Sequence, residues 1–189
     1  MSQPKEPPPA KLLIGLLYSD PERRKQAMES VCDHFGPLDF LSQPDPFTYT
    51  TYYEEEMGKG IHRQVASFLN LVPQESLSDI KLITNRIENQ VSVDGKRRVN
   101  IDPGLLSEER FVLASGKNYT HRIYLGKGIY ADLTLIFQNG AYRALPWTYP
   151  DYKNPGLLHY LKVIRRKLQF QYKGRLPHKG LRGGEGIDL

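Results

Sequence analysis

Cysteine is almost absent from this chain. Cys32 stands alone among 189 residues, so no internal disulfide can form and no cysteine-based metal cluster can be built. A reducing compartment, the cytoplasm, is the expectation that follows. Long apolar runs are missing too. The longest near the start, residues 12–18, is broken by Gly15 and falls short of the roughly 20 residues that a membrane-spanning helix needs. No membrane association is expected. Residues 2–11 hold four prolines and no apolar stretch, which reads as a disordered leader over residues 1–10 rather than a signal peptide.

Familiar catalytic signatures are also absent. No G-x-x-x-x-G-K-[ST] occurs, and Gly126-Lys127-Gly128 lacks the upstream glycine and the following hydroxyl that a phosphate loop requires. That tripeptide reads as a turn. No H-E-x-x-H, G-x-S-x-G or C-x-x-C is present, which removes the usual support for a zinc peptidase, a serine hydrolase or a zinc finger.

What remains is ordinary in bulk: 39% apolar and 25% charged residues suit one soluble domain. The net charge of +5 looks like a nucleic-acid signal until it is located. Residues 162–189 carry eight Lys and Arg against Glu185 and Asp188, a local +6, so the rest of the chain sums to −1. The excess lies on the last helix and a Gly-rich tail, 173–189, expected to be disordered. Two readings of the tail stand: a basic arm for nucleic acid, or a solubilising extension.

Patterning alternates between strand and helix. Residues 11–18 read as a buried strand, and Ser19 or Asp20 caps a helix that begins at Pro21 and stops at Gly36-Pro37. Residues 61–72 read as a strand, and Leu77, Ile80, Ile83, Thr84, Ile87 and Val91 form one helical stripe. Residues 97–101 read as a strand, Asp102-Pro103-Gly104 as a turn, and 107–115 as a short helix capped by Ser107. Strands follow at 121–125 and 130–137, and Asn139-Gly140 supplies a two-residue hairpin turn into 142–145. A last helix covers about 155–172. The order predicts a single α+β domain over residues 11–172, a mostly antiparallel sheet with helices on one face. Its first half, β-α-β-β-α-β, could be ferredoxin-like.

Two constellations carry candidate chemistry. In TYTTYYEEEMG (residues 48–58) an extended or turned chain would put Glu54 and Glu56 on one side. Such a pair could hold a divalent cation or supply a general base; a solvated acidic loop or a short helical turn is the plain alternative. In the block from Arg97 to Tyr130, Asn100 and Asp102 share a face if extended, and both a turn-forming and a ligand-holding role fit Asp102. Lys117, Asn118, His121, Arg122 and Lys127 add groups that complement phosphate or carboxylate. His121 is the first choice for acid-base work at neutral pH, against a structural role at the start of a strand.

Four segments, TYYEEEMG, RRVNIDPG, KNYTHRIYLGKGIYADLTLIF and ALPWTYPDY, in this order and spacing, resemble a bacterial family catalogued as domain of unknown function 4416, over about residues 11–172. The resemblance implies that the four segments form one site, which adds Tyr149 and Asp151 to the ligand-binding candidates. Members often carry an automatic label of GTP-binding protein. The chain has no N-K-x-D guanine reader, and Thr84-Asn85-Arg86 on an apolar-striped helix cannot replace one. A nucleotide-binding role is therefore one alternative.

Two principal hypotheses follow. In one, an enzyme or binder takes a small phosphorylated or carboxylated anion: Glu54 and Glu56 hold a cation or act as base, Asp102 orients and His121 exchanges a proton. Asn100, Lys117, Asn118, Arg122, Lys127, Tyr149 and Asp151 then contact the ligand. In the other, the chain is a non-catalytic module for nucleic acid or protein. Purely structural use of the motifs is a third possibility.

Overall fold

A computed structural model describes residues 1–174. The basic tail and its expected nucleic-acid partner therefore lie outside the described residues, apart from Lys173 and Gly174. In chain order the elements are β1 (Ala10–Tyr18), α1 (Pro21–Phe35), β2 (Leu38–Leu41), β3 (Asp45–Pro46), α2 (Glu54–Met57), β4 (His62–Val72), α3 (Leu77–Gln90), β5 (Val99–Leu106), β6 (Arg110–Ser115), β7 (Arg122–Gly126), β8 (Ile129–Gln138), β9 (Ala141–Ala144) and α4 (Pro155–Tyr172). Residues 1–9 form no helix or strand, although the Pro8 and Pro9 carbonyls accept hydrogen bonds from Gln74 and Tyr172. No described helix is long and apolar enough to cross a membrane.

Among the described residues all nine strands join one antiparallel sheet in the order β2-β4-β1-β5-β6-β8-β7, with β3 beside β4 and β9 beside β8. The first half, β1-α1-β2-β4-α3-β5, pairs as β2-β4-β1-β5, the split β-α-β arrangement of ferredoxin-like folds. The second half extends that sheet from β5. Alternation along β1 divides the core. Leu12, Ile14 and Leu16 face α1 and α3, whereas Leu13 faces α4. The expected packing of helices on one face therefore holds for α1 and α3 only. Leu157, Leu161, Ile164 and Leu168 put α4 on the other face, each burial worth about 1.5–3 kcal/mol.

Helix ends follow local chemistry. The Asp20 carboxylate accepts from the backbone of Glu22 and Arg23 ahead of Pro21-led α1, and Asn154 caps α4 through Gly156 and Leu157. The hairpin turn forms as expected, with Asn139 and Gly140 at φ of 51° and 76°.

Two local expectations are overturned between residues 102 and 115. Asp102-Pro103-Gly104 is not a turn; it continues β5 against Gly15, Ile14 and Leu13 of β1. Ile101 sends its N–H and C=O to side chains of α3, away from β1. Pro103 has the same parity, so its missing N–H falls where no strand is paired, since β6 joins β5 only at residues 104–106. Gly104 is required for packing: an added Cβ would stand 2.7 Å from the Phe111 ring. Residues 110–115 form β6, not a helix, because Phe111 and Leu113 alternate into the α4-side core. The Ser107 hydroxyl donates to Glu109 across the β5–β6 connection instead of capping a helix.

Candidate ligand-binding cleft

The sheet registers align Leu13, Gly104, Leu113, Asp132 and Arg122 in one row across five strands. Leu13 and Leu113 belong to the α4-side core, so Asp132 and Arg122 occupy the same face. Leu157, near the start of α4, packs in that core, while the 3₁₀ turn Pro150–Lys153 and the loop before it lie ahead of the helix. That preceding loop and the 117–122 loop border an open cleft of about 560 Å³, lined by Lys117, Asn118, Tyr119, Thr120, His121, Arg122, Pro146, Trp147 and Tyr149.

Asp132 organises this cleft. Its side chain is 4% exposed, and Oδ2 accepts from Arg122 Nε at 2.9 Å and lies 3.1 Å from His121 Nε2. The remaining Arg122 donors reach Lys117 O at 2.8 Å and the Tyr149 hydroxyl at 2.9 Å. Burial pulls the Arg122 pKa down, but the bonds to Asp132 and Tyr149 outweigh it and the net shift is upward. Arg122 is thus a fixed cation that joins three segments.

The other wall is anchored through hydroxyls. Thr148 Oγ1 donates to Thr134 O and accepts from Leu145 N, and Thr134 Oγ1 donates to Asp132 O. Trp147 Nε1 donates to Leu133 O at 2.8 Å, and its ring stacks on His121 with centroids 4.9 Å apart at 12°. His121 is clamped between Asp132 and Trp147, and its Nδ1 is buried with no partner among the described residues. If Nε2 carries the proton donated to Asp132, Nδ1 is a bare acceptor. An Asp–His pair of this kind can hold one tautomer and fix the orientation of the ring.

A second polar centre lies on β5. Arg97 binds Glu56 with two bonds, Nε to Oε1 at 2.8 Å and Nη2 to Oε2 at 2.7 Å, and donates through Nη1 to Asn100 Oδ1. Asn100 Nδ2 donates to Asp102 Oδ2 at 2.6 Å. From α3, Glu88 accepts the Ile101 N–H and Lys81 donates to the Ile101 carbonyl, so two side chains stand in for the neighbouring strand that is missing there. The Arg97 hydrogen bonds hold the Glu56 carboxyl below its usual range, whereas burial pushes Glu88 upward. Asp102 and Asp132 sit two strands and one side-chain row apart, about 12 Å between Cα atoms.

The candidate residues therefore separate. Lys117, Asn118, His121, Arg122 and Tyr149 gather at the cleft. Asn100, Asp102 and Glu56 join the Arg97 network. The same-side placement of Glu54 and Glu56 does not occur, because the acidic block is the short helix α2, where alternate residues diverge. Glu54 is half-buried, and its backbone bonds Thr51 and Gly58. Asp151 is tied to Arg63 at 2.8 Å, with burial raising its pKa and Arg63 opposing. Lys127, at φ 57° in the β7–β8 turn, pairs with Asp79 of α3. Among the described residues no three His, Cys, Asp or Glu side chains gather as a metal site would need.

Links between the segments do exist. Lys117 Nζ meets the Tyr52 hydroxyl at 3.2 Å and sits over its ring, and Asp102, Asp151 and Tyr149 all oppose ionisation of the part-buried Tyr53, whose pKa burial already raises. Sequence reasoning missed Asp132, Trp147, Thr134 and Arg97. A usable signal for the first was present in ADLTLIF: a carboxylate and a threonine two residues apart share one face of an otherwise apolar strand.

No curated protein and no solved structure matches the chain. A family model described as Domain of unknown function (DUF4416) matches residues 8–168, and the chain belongs to that family.

Proposed function

We propose that the protein binds a small anionic ligand in the cleft between the 117–122 loop and the 146–149 loop. The carrying observation is that Asp132, buried and shared by Arg122 and His121, balances one cation and leaves Lys117 at the rim without a carboxylate partner among the described residues. With His121 neutral, the cleft residues together with Asp132 carry one net positive charge. Lys117 is exposed and, among the described residues, its ammonium is held by Tyr52 alone, so it can turn to an incoming oxyanion at little cost. The Tyr149 hydroxyl, which accepts from Arg122, keeps its own proton to donate. Asn118 and Thr120 supply further donors on the same wall.

Trp147 is the one tryptophan of the chain and lines the cleft, so its fluorescence reports occupancy directly. Titration with inorganic phosphate and with ribose 5-phosphate should change the emission saturably, and Lys117→Ala should weaken binding about tenfold. Unchanged emission and an unchanged melting temperature at millimolar ligand would overturn the reading.

A further inference from the structure

We infer that the anion taken by this cleft carries a planar aromatic ring, which stacks on Trp147. The inference rests on the anion-binding reading above and names the class of ligand. Trp147 is anchored yet open: Nε1 is committed to Leu133 O and the ring is packed on His121, but the residue remains 39% exposed. A tryptophan placed only for packing would bury its ring. Tyr119 and Tyr149, 64% and 49% exposed, line the same cleft beside Pro146. Water therefore meets several large apolar rings around one cavity, a feature of binding surfaces rather than of neutral ones.

Size and rigidity point the same way. A bare phosphate would fill a small part of about 560 Å³, a volume within the range of pockets for small organic molecules. The indole is already fixed by its hydrogen bond and by the His121 stack, so little side-chain freedom is lost when a ring settles on it. Lys117 and the Tyr149 hydroxyl then take the anionic end. Nucleotides and aromatic carboxylates share this chemistry, a π face joined to an oxyanion.

Calorimetric titration of the full chain with AMP, phenylacetate and ribose 5-phosphate tests the inference. AMP or phenylacetate should bind at least about tenfold more tightly than ribose 5-phosphate, and the tighter of the two assigns the source of the ring. Trp147→Leu should bring the ratio of the ring-bearing probe's affinity to that of ribose 5-phosphate down to about one, whereas Trp147→Phe, which keeps a ring, should retain most of that ratio. Equal affinity of all three probes for the native protein would overturn the inference and leave the anion site standing. Failure of all three to bind would remove both.

Discussion

Around Arg97 the strong polar groups meet one another. Glu56, Glu88, Asn100 and the Ile101 backbone are joined by Arg97 and Lys81, within one turn of α2, one face of α3, the start of β5 and the segment just before it. Around Asp132 only the inner side is closed. Arg122, Thr134 and Thr148 are engaged, but Lys117, the Tyr149 hydroxyl proton and the Trp147 ring look outward. Both centres use charged residues from sequence motifs of the same apparent kind. One replaces a missing strand, and the other frames a cavity. A cluster of polar residues thus becomes a candidate site through the groups it leaves over, not through how many it contains.

Breaking the buried pair of the cleft should have the largest effect. Asp132→Ala strands Arg122, whose side chain is 7% exposed, and should lower unfolding free energy by about 3–5 kcal/mol in urea titrations. Next comes the network: Glu88→Ala leaves the buried Ile101 N–H without an acceptor, for a loss of about 1–3 kcal/mol, with ligand affinity in the cleft unchanged. If Glu88→Ala altered binding, the two centres would not be separate. Smallest in stability is Lys117→Ala, at most about 0.5 kcal/mol for a surface site, although it should reduce anion affinity.

Acid and base separate the carboxylates of the network itself. Glu88 has a raised pKa in the folded protein, so the stability it contributes is full below its unfolded value of about 4.3 and is lost as pH rises through the folded value. Glu56 has a lowered pKa, so its contribution is present above that unfolded value and is lost as pH falls through the folded one. Urea midpoints measured from about pH 3 to about pH 8 should therefore lose their acid-side fall in Glu56→Gln and their rise-with-acid component in Glu88→Gln. The same direction of change in both variants would contradict the assigned environments.

Much of the fold was legible from local signals. Asp20-Pro21, Asn139-Gly140 and the Leu77 to Val91 stripe each act over a few residues, and each forms as its chemistry dictates. The Asp102-Pro103-Gly104 segment misleads because its reason is distant: Pro103 faces a gap beyond β6, and Gly104 makes room for Phe111. Residues 107–115 mimic a capped helix because Ser107 and two glutamates resemble a first turn, while the strand alternation of Phe111 and Leu113 is short. At the site, Lys117, His121, Arg122 and Tyr149 could be grouped from their motifs. Asp132 could not be paired with His121 and Arg122 from spacing alone, since that contact depends on the β7–β8 register. The separation of Asp102 from His121 likewise follows from the order of strands across the sheet.

The most direct test of the division into a closed strut and an open cleft is a backbone amide chemical-shift map of ¹⁵N-labelled protein titrated with AMP. Saturable shifts concentrated at residues 117–122 and 146–149, with residues 97–102 unmoved, are the predicted result. Shifts centred on 97–102, or none at either loop, would contradict the account.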